Sequence, residues 1–140
     1  MPEVTAEVEN LIRDYERLWN EGNYAEIPTL AADSFVLHDP GYPETVRGRD
    51  AFETYLRELR EGFPDFHVEI EDMATSGGTV MAKWTMTGTH EGEFAEIPPT
   101  GNSVELEGMD TVEIADGTVQ EHRIYYDSRA LFEQVGLTDE

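Results

Sequence analysis

The hydrophobic period of this chain changes at Pro64, and that change limits the folds open to it. Before it, apolar residues recur three and four apart. Val4, Val8, Leu11, Ile12, Tyr15, Leu18 and Trp19 form one stripe that stops at Gly22; Phe52, Tyr55, Leu56, Leu59 and Phe63 form another that opens at Asp50 and Glu53. This spacing predicts two amphipathic helices. Between them, Asn23 with Glu26 suggests a capping pair for a short helix reaching about Ala32, and "SFVLHDP" reads as a brief strand stopped by Pro40. After Pro64 the period is two. "FHVEIEDM", "TVMAKWTMTGTH", "NSVELEGMDTVEI" and "VQEHRIYYD" read as four strands, turned at Ser76–Gly78 and at the Asp116-Gly117 pair. "SRALFEQVG" closes the chain as a short helix with Ser128 as its cap and Gly136 as its stop. Helices segregated from an antiparallel meander make an α+β domain, and a curved sheet wrapped on a long helix encloses one hollow.

The 140 residues suit one domain spanning 1–140, with a single core. Hydrophobic residues make up 39% of the chain, enough to build that core despite a net charge of -22. The charge opposes binding to nucleic acid and to anionic membranes. It is spread along the sequence rather than clustered, which reads as halophilic adaptation of an acidic protein, not as a docking face for a cationic partner. Cysteine is absent, so thiolate nucleophiles, disulfides and cysteine-ligated zinc are excluded. No apolar run suggests a membrane span, and "MPEVTAEVEN" lacks the basic and apolar parts of a signal, so a cytoplasmic protein is expected. The four histidines, at 38, 67, 90 and 122, show no ligand spacing, and "HExxH", "GxSxG" and Walker patterns are missing. No metal site is expected.

"FVLHDP", "GRDAFETYLRELREGFPDFHVEIEDM", "WTMTGTHEGEFAEIPPTG" and "DGTVQEHRIYYDSRALFEQVG", in this order and spacing, resemble the SnoaL-like polyketide cyclases, also called ester cyclases, of the NTF2-like superfamily. The resemblance runs from about Leu11 to Gly136. It implies a cone-shaped α+β fold, a homodimer formed through the sheet, and a pocket that works with neither metal nor organic cofactor. It further implies an acidic general acid/base at the end of the last long strand, a position that matches Asp127. Similar sequences often carry an aromatic residue where this chain has Arg123.

An inward Asp127 places Tyr125 and Arg123 on its side of the strand and His122, Ile124 and Tyr126 on the other, unless a bulge shifts the register. Burial near Trp84, Tyr125 and Phe63 would raise the carboxyl pKa toward the range of a useful base; the competing role for Asp127 is to cap the last helix. His90 shares a face with Trp84 and Met86. It either polarises a substrate carbonyl at the mouth of the cone, beside a rim stiffened by Pro98 and Pro99, or bonds a neighbouring backbone carbonyl. His38 either lines the same pocket or bonds Asp39. Arg123 pairs with Asp127, binds a substrate carboxylate, or forms a salt bridge on the rim. Trp84 and Tyr125 would position an apolar or carbonyl-containing small molecule. Two functions remain open: a cofactor-free enzyme that closes rings or performs a related isomerisation or hydrolysis, and a non-catalytic ligand-binding or dimerisation domain. The charge itself makes a prediction: the thermal unfolding midpoint should rise as KCl goes from about 0.1 M to about 1 M, where the Debye length shrinks from about 10 Å to about 3 Å. A midpoint that stays level or falls in a salt-series melt would remove the halophilic reading.

Overall fold

A computed structural model describes residues 5–136. Helix α1 runs Ala6–Glu21; Thr5 caps it by accepting the Val8 amide at 3.2 Å, and Gly22 ends it in the left-handed region at φ 67°. Val4 lies outside the described residues. The stripe behaves as its spacing predicts, with Ile12, Tyr15, Leu18 and Trp19 buried. The second helix is shorter than expected: a 3₁₀ turn at Tyr24–Glu26 leads into α2, Ile27–Leu30, and Asn23 makes no side-chain cap. Ala31 and Ala32 belong instead to strand β1, Ala31–His38, because Ala31 is fully buried and pairs with Val119 across the sheet. Tertiary pairing here outweighs alanine's helix preference.

A two-residue strand β2, Val46–Arg47, precedes α3, Gly48–Gly62, which buries Phe52, Tyr55 and Leu56. Four long strands follow: β3, His67–Ser76; β4, Thr79–Thr89; β5, Ser103–Ala115; and β6, Thr118–Tyr125. The six strands form one sheet in the order β2-β1-β6-β5-β4-β3. Its β3 to β6 stretch is the antiparallel meander, but β1 runs parallel to β6, so the sheet is mixed. Helix α1 packs against β3 and α3 against β1, closing one face of the sheet; Phe35 of β1 meets Phe52 of α3 at 4.3 Å between ring centroids. Among the described residues no helix is long and apolar enough to cross a membrane.

Two bulges set which residues face inward. On β3, Ile70 pairs with Trp84 and Asp72 with Lys83, leaving Glu71 as the extra residue. On β6, Val119 pairs with Ile114 and Glu121 with Glu113, leaving Gln120 as the extra residue. Each reverses the in–out alternation beyond it.

The rim between β4 and β5 is tied down at several points. The His90 amide donates to the Asn102 carbonyl at 2.9 Å and the Gly101 amide to the His90 carbonyl at 2.8 Å, while the Glu91 and Gly92 amides both reach the Gly62 carbonyl. Phe94 and Ile97 close a two-residue turn whose inner residues, Ala95 and Glu96, both have positive φ. Gly92 lies so close to α3 that a β-carbon there would stand 1.9 Å from the Glu61 carbonyl oxygen. Gly92→Ala should therefore prise the rim from α3 and cost about 1–3 kcal/mol, read from chemical denaturation; an unchanged midpoint would mean that the rim floats free of that helix.

Candidate active site

The inward face of the sheet does not fill its own hollow. Residues of β3 to β6 and the facing sides of α1 and α3 enclose a cavity in which about 110 Å³ is open to the centre of a water molecule. Its wall is mostly apolar and aromatic, with Trp19, Phe63, Phe66, Trp84 and Met86 among the lining groups. Trp84 is buried on the face that β4 presents inward, where the alternation placed it.

Two polar clusters interrupt that wall. In the first, His122 of β6 holds Asp110 of β5 through Nε2 to Oδ2 at 2.7 Å and Tyr15 of α1 through Nδ1 to the hydroxyl at 2.8 Å. The side chains of His122 and Asp110 are only 5% and 13% exposed. With Asp110 ionised and His122 neutral, every proton has a place: Nε2–H donates to the carboxylate and the Tyr15 hydroxyl donates to Nδ1. Burial, and then the negative charge of Asp110, push the Tyr15 phenol well above its ordinary range, although the nearby Trp19 indole pulls the other way. The remaining carboxylate oxygen, Asp110 Oδ1, is buried without a partner among the described residues. Such an oxygen costs about 1–3 kcal/mol unless something else satisfies it.

In the second cluster Asp39, just past β1, accepts from the Tyr55 hydroxyl at 2.5 Å, the Tyr126 hydroxyl at 2.8 Å and the Gly41 amide at 2.8 Å. Gly41 is needed there because a β-carbon would meet the Tyr126 oxygen at 2.3 Å. Burial first, and Asp39's charge second, raise both phenols. They remain donors throughout the ordinary pH range.

The structure corrects several expected placements. Arg123, Tyr125 and Asp127 do not look into the hollow; they are exposed, and His122, Ile124 and Tyr126 take the inward positions. The cause is the bulge at Gln120. Counting by two from buried Val119 gives the outward set, and the extra residue moves the cavity to the even positions. Asp127 is the N-cap of α4, Ser128–Gln134, accepting the amides of Arg129 at 3.0 Å and Ala130 at 3.2 Å, so Ser128 is not the cap. Tyr125, 56% exposed, stands opposite Met109, 54% exposed, on the outer face. Arg123 takes the rim salt bridge, 3.4 Å from Glu121, and not a pair with Asp127. His38 bonds the same Glu121 at 2.7 Å, not Asp39, and borders an outer groove with Arg123 and Tyr125.

His90 is completely buried, but it lies outside the cavity lining. Its Nδ1 meets the Thr100 hydroxyl at 3.0 Å and its ring packs on Phe63, so it anchors the rim. Sequence reasoning missed Asp110, although a signal for it was there. In "VELEGMDTVEI" it shares its face with Val104, Leu106 and Val112, an acid in a row of core positions. His122 was hidden by the bulge. Among the described residues no group of three or more His, Cys, Asp or Glu side chains is placed to hold a metal ion.

Residues 9–135 match the sequence pattern of the SnoaL-like polyketide cyclases. Over 134 residues the chain is 28% identical to the aklanonic acid methyl ester cyclase DauD of Streptomyces sp. strain C5, a match covering 91% of this chain and 80% of that protein. Over 131 residues it is 26% identical to the aklanonic acid methyl ester cyclase DnrD of Streptomyces peucetius, covering 91% and 89%. Among solved structures it resembles a Jannaschia sp. CCS1 protein classed with the SnoaL-like polyketide cyclases, at TM-score 0.84 and 25% identity, across 99% of this chain and 97% of that one. The shared architecture is the NTF2-like cone, a curved sheet packed against helices.

The buried phenols give a pH prediction. Tyr15, Tyr55 and Tyr126 have folded pKa values above the unfolded value near 10. Their contribution to stability is thus complete below about pH 10 and lost as pH rises beyond it. In an alkaline titration their tyrosinate absorbance should appear only with the loss of circular dichroism. Ionisation of all six tyrosines before unfolding would contradict this.

Proposed function

The chain belongs to the SnoaL-like polyketide cyclase family, and from that premise we propose that it closes a ring within a carbonyl-containing small molecule, with Asp110 as the proton carrier. The supporting observation is Asp110 itself: a largely buried carboxylate in a mostly apolar cavity, with one oxygen fixed by His122 and the other without a partner among the described residues. A carboxylate held this way is set up for acid–base work, because one oxygen fixes its orientation while the other can take up a proton.

The reaction proposed is an intramolecular aldol closure. Asp110 Oδ1 takes a proton from the carbon beside one carbonyl; that carbon attacks a second carbonyl of the same molecule, and a carbon–carbon bond forms. The new alkoxide recovers the proton from Asp110. The proton inventory returns to its start and no electrons enter or leave, so the balance requires no co-reactant. His122 and Tyr15 hold the carboxylate in place, and the aromatic wall excludes water from the enolate and strengthens each polar contact. The net charge of -22 favours a neutral substrate over an anionic one. The names of DauD and DnrD suggest aklanonic acid methyl ester as the first compound to try.

With that ester, and with deuterium exchange beside the carbonyl of a simple ketone as a second assay, Asp110→Asn should lower the rate by about 100-fold or more while circular dichroism shows the fold retained. Asp127→Asn should leave the rate near that of the unaltered protein, since asparagine is an equally good cap. The reverse result, with the loss at Asp127, would move the chemistry to the outside of the sheet. Unaltered rates in both variants would refute Asp110 as the proton carrier, and no turnover even by the unaltered protein would favour a binding domain.

A further inference from the structure

We propose that Trp84 is a catalytic hydrogen-bond donor, its indole N–H binding the carbonyl oxygen of the carbon acid that Asp110 deprotonates. This deepens the reading of Asp110 as base and rests on it.

Of the five buried polar side-chain atoms that lack a partner among the described residues, three belong to residues lining the cavity: Asp110 Oδ1, Trp84 Nε1 and Trp19 Nε1. The Trp19 indole has company nearby, since it favours ionisation of the Tyr15 hydroxyl. No polar contact accounts for the Trp84 N–H. A buried donor left unmade is costly, and an acceptor brought by a ligand would recover that loss.

The position of the ring relates the two unpartnered atoms. Trp84 pairs with Gly108 across β4 and β5, and its six-membered ring edge lies directly on that glycine: a β-carbon at position 108 would stand 2.3 Å from Cζ2 and 2.8 Å from Cε2, the atom bonded to Nε1. Gly108 is the same-face neighbour of Asp110 along β5, about 7 Å away at the strand's rise per residue. Two neighbouring strands thus lay the Trp84 indole over the residue two before Asp110, on the cavity face that also carries the unpartnered Asp110 oxygen. The ligand that complements such a pair carries an acceptor oxygen next to an acidic C–H, which is a ketone or ester with a hydrogen on its α-carbon. When Asp110 takes that proton, the negative charge moves to the oxygen held by Trp84. A fixed donor at the atom where charge develops lowers the barrier.

The test uses acetophenone and α-methylstyrene, which differ only in carrying C=O or C=CH₂. The chain has two tryptophans, so two indole N–H signals can be followed by NMR. Acetophenone should move the Trp84 signal downfield, and α-methylstyrene should not. Trp84→Phe should weaken acetophenone about fivefold, from the net worth of one hydrogen bond, and leave α-methylstyrene within about twofold. No shift at Trp84, a shift confined to Trp19, equal weakening of both compounds, or failure of acetophenone to bind would each overturn the proposal. The measurement on unaltered protein stands even if Trp84→Phe misfolds. Asp110→Asn separates this proposal from the one beneath it. A variant that keeps the acetophenone-induced Trp84 shift and the full exchange rate refutes Asp110 as base while leaving the donor in place.

Discussion

One extra residue in β6 decides what the cavity can hold. The bulge at Gln120 turns His122 inward, and only there can it reach Asp110 on the next strand and Tyr15 on the helix above. The three groups span three elements far apart in the chain, so the interaction also fixes how α1 sits on the sheet. In an apolar surround each hydrogen bond is stronger than in water, and each missing one is more costly. Replacing any of the three leaves the other two exposed to that cost, which makes the cluster a constraint on the fold as much as a site.

The glycines near the cavity serve the aromatic rings. Gly41 makes room for the Tyr126 hydroxyl against Asp39, Gly108 lies under Trp84, and Gly88 and Gly62 accommodate Phe63 and Phe94. Large rigid side chains laid against bare backbone line the space without filling it. Elsewhere in the core the rings meet each other instead, Phe52 packing against Phe35, Tyr15 and Trp19. Around the cavity the result is a wall with few polar atoms, each at a defined position.

The exterior obeys different rules. Its ion pairs, such as Arg57 with Glu53 and Arg129 with Glu133, are exposed helix pairs of small worth, far fewer than the acids present. The acidic exterior and the mostly apolar cavity wall are thus chemically distinct surfaces of one small domain.

The sequence by itself determined the elements and the class. Stripes at helical spacing, alternation after Pro64 and the Asp116-Gly117 turn are local signals, and α1, α3, β3 to β6 and the final helix formed where those signals stood. Trp84 on the inner face of β4 was read for the same reason; Asp110 carried the same signal, an acid among core positions, but was not singled out. The parity of β6 was not legible, because a bulge is set by how two strands twist together, and alternation counted along one strand carries no record of it. Nor was the parallel pairing of β1 with β6, which arises only once the chain has returned. Asp127 illustrates the limit: its type and place suited a base, but the start of α4 left two amides in need of an acceptor, and its carboxylate supplies one.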